Sequence, residues 1–265
     1  SWRRYSYGNF TGIRIMGVFQ NNLLAGAAAA ATAGGGAFYS YQIEQSARFD
    51  KADGSYMTAN FDGNAGQTNY TISMWIKRGL LSTSDDQPLL GNSGGWANHA
   101  FTSSDTFRLT NQKYQTVDGV FRDTNGWTNI IVNQTSSQDT VNMWINGVSR
   151  TVTSSGSGNF YTPFTNVSSA KLRIGYNGST RYFDGYMAEV VCVDGADKVN
   201  TDFGEFKNGV WIPIDYSGSY GTDGFRLKFE NASDLGNDSS GNNNDFTVSN
   251  MGADHQVLDS PTFGS

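Results

Sequence analysis

Lys171 to Asp194, reading KLRIGYNGSTRYFDGYMAEVVCVD, is the stretch that most restricts what this chain can fold into. Leu172/Ile174/Tyr176 and Ala188/Val190/Cys192 repeat at every second position, and a segment rich in Gly and Asn joins the two runs. A period of two sends alternate side chains to opposite faces of a strand, so each run offers one apolar and one more polar face. Phe183-Asp184-Gly185 is a turn entry between them. Further runs of the same kind predict a sheet protein closed around this pair.

The clearest of these runs is Tyr70/Ile72/Met74/Ile76, alternating with Thr71, Ser73, Trp75 and Lys77. One face is core; the other carries Trp75, either covered by a second layer or open as an aromatic platform. Ala47 to Asp50, Tyr56 to Ala59, Thr106 to Thr110, Trp127 to Gln134 and Phe225/Leu227/Phe229 add further strands, whereas Leu80 to His99 reads as loop. Asn146-Gly147 between apolar runs is a strong hairpin signal, because both residues tolerate positive φ. It predicts Val141/Met143/Ile145 folding back onto Val148 to Val152. Asn200 to Gly224 is irregular.

Composition agrees with strands. Aromatics make up 14% of the 265 residues, charged residues only 16%, and there are 32 Gly but only four Glu: Glu44, Glu189, Glu205 and Glu230. Such a mix suits sheets and turns better than helices or disorder. The length allows one all-β domain or two smaller ones. A net charge of −6 with no Lys/Arg run argues against nucleic acid, whose binding needs phosphates neutralised. Cys192, the single cysteine, lies in a strand pattern and reads as a buried small hydrophobe, so there is no disulfide framework.

Residues 1–38 read as an arm or anchor, with Ala/Gly-rich low complexity after a mixed, basic start. The arginines, apolar stretch and Ala-Thr-Ala superficially resemble a secretory signal, but Gln20-Asn21-Asn22 interrupts the apolar region. The stretch is also too short and Gly-rich for a membrane span of roughly 20 apolar residues. Val18, Phe19, Leu23 and Leu24 give an apolar surface suited to a neighbouring subunit. A first-strand extension, or a helix over Leu23 to Ala33 on the same domain, is the alternative.

Six pieces occur in the order found in laminin-G-like members of the concanavalin A-like lectin and glucanase superfamily. They are Ala47-Arg48-Phe49-Asp50 with Asp53-Gly54, Tyr70 to Lys77, Trp127, Met143-Trp144-Ile145-Asn146-Gly147-Val148, Leu172-Arg173-Ile174-Gly175, and Phe183 to Val190. The chain therefore resembles that family over about residues 45 to 195. The resemblance implies an all-β, two-sheet antiparallel jelly-roll sandwich, here spanning 39–265 behind the arm. In the family the phrase strand, Asp-Ser-Ser-Gly-Asn, strand commonly opens the domain, whereas here Phe225 to Val248 carries it late. A permuted, single sandwich completed by segment 225–250 follows as the expectation.

The wider string, Val18 to Ala27 through Phe203 to Pro213 and Phe225 to Pro261, looks like structural proteins of marine tailed bacteriophages. Those often begin near the position of Met16, which leaves residues 1–15 without a counterpart. This resemblance implies a virion-surface component, a tail fibre, receptor-binding or capsid-surface protein, whose partners are its own copies, other virion proteins and a cell-surface glycan.

A glucanase of this superfamily needs a carboxylate cluster such as Glu-x-Asp-x-x-Glu, and no such spacing occurs; Glu189 and Asp194, five apart, would face opposite ways. His99 and His255 lie in Gly/Asn/Asp-rich segments without a nucleophile-elbow motif and read as solvated loop residues, too few for a zinc site. These readings favour a non-enzymatic protein. Calcium, which takes loop carboxylates and carbonyls, has Asp184, Asp238 and Asn242 as candidates at strand ends that a closed sandwich could bring together; the alternative is plain Asx turns. Sugar binding uses aromatic faces beside polar groups, and Trp75, Trp96, Trp144 and Tyr182 are its candidates. Two functions stay open: an adhesin engaging host glycans, or a capsid or appendage assembly and decoration subunit packing on its own copies.

Overall fold

The computed structural model describes residues 38–61, 69–91, 97–111, 113–135, 140–155 and 170–263. The arm residues Val18, Phe19, Leu23 and Leu24, and also Trp96, lie outside them. Tyr39–Gly264 forms a compact unit, and the regular structure among its described residues is all strand apart from two short 3-10 turns. In chain order these are β1 (Ser46–Phe49), β2 (Tyr56–Phe61), β3 (Tyr70–Arg78), β4 (Gln87–Gly91), β5 (Ala97–Phe101) and β6 (Phe107–Asn111). There follow β7 (Lys113–Val117), β8 (Thr128–Gln134), β9 (Val141–Ile145), β10 (Val148–Arg150), β11 (Val152–Ser155) and β12 (Ala170–Ile174). The last are β13 (Gly185–Asp194), β14 (Gly204–Lys207), β15 (Val210–Pro213), β16 (Phe225–Leu227), β17 (Thr247–Ser249) and β18 (Gln256–Val257).

Two antiparallel sheets face each other. The first runs β10-β9-β8-β3-β13-β1-β18, with β16 also paired to β13; the second runs β11-β7-β6-β5-β4-β12-β2-β17. The alternating runs predict the sheets, and their arrangement is the two-sheet antiparallel sandwich that the resemblance implies. The inward residues meet between the sheets: Ile72, Met74 and Ile76 of β3, Ile130 and Val132 of β8, and Val190 and Cys192 of β13 from one side. Met57 and Phe61 of β2, Phe101 of β5, Phe107 of β6, and Leu172 and Ile174 of β12 come from the other. Cys192 is fully buried among them and free. The late segment enters both sheets, since β16 pairs with β13, β17 with β2 and β18 with β1.

The two runs that anchor the sequence do not pair with each other. Strand β12 belongs to the second sheet and β13 to the first, so the 175–184 connection crosses the sandwich. A second departure follows the Asn146-Gly147 turn, whose residues adopt φ of 47° and 74°. The hairpin forms in register, Ile145 opposite Val148, but the return strand stops at Arg150 and the chain passes to the second sheet, where β11 pairs with β7. The stretch read as loop from Leu80 also contains β4, buried along its whole length despite Pro88.

A cap lies on the outer face of the first sheet. The β14–β15 hairpin turns at Asn208-Gly209, and Phe203, Trp211 and Tyr216 join Trp75, Ile131, Val191 and Val193 in a second apolar cluster. Trp211 also donates its indole N–H to Asn129 Oδ1 at 3.0 Å, which satisfies the polar end of a buried aromatic.

A buried ionic group ties the layers together. Glu189 lies where the β13–β3 register shifts between Ala188 and Val191, and its φ is 45°, a conformation that non-glycine residues rarely hold. The irregularity directs its carboxylate to Arg226, whose Nε donates to Glu189 Oε1 at 2.6 Å while Nη2 reaches Tyr41 at 2.9 Å and Asp215 at 2.7 Å. Burial pushes the Glu189 carboxyl up, and Arg226 and Tyr41 draw it only partly back, so it stays above its ordinary value.

The histidines depart from the loop expectation. His99 is 1% exposed on β5, with Nε2 3.1 Å from the Tyr70 hydroxyl, and burial lowers its pKa to about 3. His255 is also buried, on a short 3-10 turn against Ser55. Flanking Gly and Asn residues disguised both, because a strand inside a sandwich core can carry one polar side chain when a partner meets it.

Two outcomes are expected. Replacing Arg226 with Leu strands the Glu189 carboxylate and should cost about 3–5 kcal/mol in denaturant unfolding. A depressed histidine pKa means the unfolded chain binds the proton more readily, so stability complete above pH about 6.5 falls as pH drops toward about 3. The limiting slope is about 1.4 kcal/mol per pH unit, and His99→Gln should flatten the stability-against-pH curve in that window.

Candidate functional site

With the cap on the first sheet, β2 and β12 of the second carry half-buried and exposed side chains on their outer face among the described residues. Along β2, Met57, Ala59 and Phe61 point to the core, which places Tyr56, Thr58 and Asn60 outside. Along β12, Leu172 and Ile174 point in, and Lys171 and Arg173 out. At the end of these strands Tyr56 meets Tyr176 and Tyr182. Tyr176 and Tyr182 stack with centroids 4.5 Å apart and planes at 14°, and Tyr56 closes on Tyr176 at 4.7 Å and 41°. All three rings are half-buried.

Local hydrogen bonds hold this cluster. Tyr176 and Tyr182 face each other across an isolated antiparallel bridge. The Asn177 side-chain carbonyl accepts the N–H groups of Ser179 and Arg181, each at 3.0 Å, and the Tyr176 hydroxyl donates to the Ser179 carbonyl at 2.8 Å. On the other flank, Asn250 donates to the Asp53 carbonyl at 2.9 Å, fixing the turn that precedes Tyr56. Arg173 lies 5.8 Å from the Tyr176 ring centroid. Arg181 pairs with Asp86 at 3.3 Å, and Arg108 pairs with the same carboxylate. Burial, then the hydrogen bond with Tyr176, raises the pKa of Tyr182, so its hydroxyl stays protonated at neutral pH.

The rings take one another's faces and leave a half-buried aromatic surface beside polar groups, which suits an amphipathic ligand that sets C–H groups against the rings and hydrogen-bonds at their edge. Of the four aromatic candidates, Tyr182 lies in it. Trp75 is 5% exposed under the cap, covered by a second layer and closed to a ligand. Trp144 is half-buried on β9 of the same first sheet, packed against the same capped cluster. Tyr56 and Tyr176 escaped selection because both sat in strand patterns. Gly175 supplies the missing signal: its φ of 80° breaks the period of two, so Tyr176 leaves the inward phase of Leu172 and Ile174.

Asp184, Asp238 and Asn242 do not converge, contrary to the expectation for calcium. Asp184 stands just before β13 and accepts the Lys51 N–H at 3.2 Å. Asp238 accepts the N–H of Arg226, which pairs with Val191, seven residues along β13 and so about 23 Å away at the rise of a strand. Its carboxylate also receives the Ser240 N–H, the Ser240 hydroxyl and the Asn244 N–H at 2.7–2.9 Å. The Asn242 amide donates to the Gly221 and Gly224 carbonyls. These are loop clamps of the Asx kind. Among the described residues no group of three or more His, Cys, Asp or Glu is placed to hold a metal.

No curated protein sequence matches this chain. Among solved structures, a Bacteroides ovatus ATCC 8483 protein named as a carbohydrate-binding candidate is similar over 80% of this chain, with 14% identity and a TM-score of 0.56. This chain spans 61% of that one, and likeness at such identity is likeness of fold. The heptameric SAP-like pentraxin of Limulus polyphemus aligns over 60% of this chain and 80% of its own, at 11% identity and a TM-score of 0.41. Domains LG4-5 of the mouse laminin alpha1 chain align over 65% and 44%, at 10% identity and a TM-score of 0.35. The laminin-G-type model described as the concanavalin A-like lectin/glucanases superfamily matches residues 50–197. That span takes in β2 to β13, the greater part of both sheets, and the chain belongs to this superfamily.

Proposed function

We propose that this chain is a glycan-binding sandwich whose contact surface is the Tyr56/Tyr176/Tyr182 cluster, without catalytic turnover of the bound sugar. The observation that carries the reading is the stack itself, three half-buried tyrosines fixed by their own turns at the end of β2 and β12. Pre-set rings lose little side-chain freedom on binding, which favours a sugar face over a flexible partner. The similar Bacteroides protein, named for carbohydrate binding, supports the ligand class.

The setting we propose is a virion surface, as a tail-fibre or surface adhesin. It is supported by the resemblance of Val18 to Ala27, Phe203 to Pro213 and Phe225 to Pro261 to marine phage structural proteins. Self-association through Val18, Phe19, Leu23 and Leu24 would multiply a weak contact into an avid one.

Saturable binding of the full chain on a glycan array is expected, with Tyr182→Ala lowering affinity about tenfold while the melting temperature holds within a few degrees. A chelator should leave binding intact, since Asp184, Asp238 and Asn242 are engaged by separate loop hydrogen bonds. A folded, multivalent sample that binds no glycan would overturn this reading in favour of an assembly subunit.

A further inference from the structure

A second polar feature lies at the same end of the sandwich as the tyrosines, where β3 stops and β8 starts. Arg78, Arg122 and Arg150 line a pocket of about 250 Å³ between the 120–123 segment and the β9–β10 hairpin. Two carboxylates lie near, and neither answers all three guanidinium groups. Asp105 is fully buried and accepts the Ser82 N–H and hydroxyl, Arg122 Nε at 2.9 Å and Arg78 Nη1 at 3.1 Å. Asp123 accepts the N–H groups of Asn125 and Gly126 through Oδ1 and thereby closes its own turn.

Arg78 is the unusual member. Its side chain is 3% exposed, and Nη1 serves Asp105 and the Phe121 carbonyl, yet Nε and Nη2 have no partner. Those two N–H groups run parallel along one edge of the guanidinium, the edge that a carboxylate fills with both oxygens. Buried donors left unpaired are rare, and each is destabilising until something meets it. Arg150 adds a third, its Nε also buried and unpaired. Burial lowers the pKa of Arg78, and Asp105 restores only part of the loss.

We propose that this pocket binds the carboxylate of an acidic sugar residue, such as a hexuronate, with the buried, unpaired edge of Arg78, which lies over the Phe101 ring, as the bidentate partner and Arg150 and Arg122 beside it. The volume is small next to the roughly 300–1,000 Å³ of clefts that enclose a drug-sized ligand, so the pocket takes one charged unit rather than a chain. The sugar half of the proposal rests on the glycan-binding reading above; the anion half rests on the pocket alone.

The test is calorimetric titration of the full chain with sodium glucuronate, glucose and sodium sulfate. Glucuronate should bind saturably and glucose should not displace it. Arg150→Gln should weaken binding about tenfold or more at unchanged melting temperature, as loss of one charge-assisted hydrogen bond does. Should that variant melt early, Arg150→Lys, which keeps the charge but loses the unpaired Nε–H, gives the same reading. Tyr182→Ala should leave glucuronate binding unchanged, which separates the two sites. Sulfate binding as tightly as glucuronate with the same Arg150 dependence would overturn the acidic-sugar assignment and support an anion site alone. No saturable binding of either anion would overturn the pocket, while neutral-glycan binding at the tyrosines would still stand.

Discussion

Arg226 is the contact on which the assembly of the layers depends. Its backbone pairs with Val191 in the first sheet, and its N–H is received by Asp238 in the loop that follows. Its guanidinium spans Tyr41 before the first strand, Glu189 at the β13 irregularity and Asp215 beside the cap. Segments far apart in sequence must all be in place before these charges are matched. A buried ion pair is a weak source of net stability, since desolvation opposes the attraction, but a mispaired one is severely unfavourable. The group therefore selects one arrangement over near alternatives, and the strained φ of Glu189 shows a backbone bent to meet it.

The cap makes the two outer faces unlike. On the first sheet, Trp75 and Ile131 point outward and would be exposed apolar surface without Phe203, Trp211 and Tyr216 over them. On β2 and β12 of the second, the outward side chains are Tyr, Thr, Asn, Lys and Arg, which need no cover. Gly147 belongs to the same division: a Cβ there would lie 2.1 Å from the Trp211 ring, so the β9–β10 turn is shaped to admit the cap as well as to reverse the chain. The recognition proposed above accordingly uses the second sheet and the sandwich end where the tyrosines and arginines gather.

Much of the fold was legible because half-buried strands write their faces as a period of two, and β2 and β9 do so plainly. What alternation cannot express is which sheet a strand joins. Nothing in Val148 to Val152 marks the passage from one sheet to the other, and β4 hid behind Pro88 and an acidic loop because a strand buried on both faces does not alternate. The site was less legible for a related reason. Alternation marks which aromatics lie on polar faces, but whether a layer covers them depends on residues far along the chain, as for Trp75 under Trp211. Tyr182 could be picked from its polar neighbours, whereas Tyr56 and Tyr176 become visible once Gly175 is seen to break the phase.

The alternation in β2 and β12 has one more effect. Met57, Ala59, Leu172 and Ile174 hold the core from one side of each strand, while Thr58, Asn60, Lys171 and Arg173 stand on the other, outside the core. Substitutions at the second set leave the interior packing intact, so mutation can explore new surfaces there without first finding compensating changes. A chain under pressure to follow a changing target has its variable positions already separated from its essential ones, residue by residue, by the pleat of the sheet.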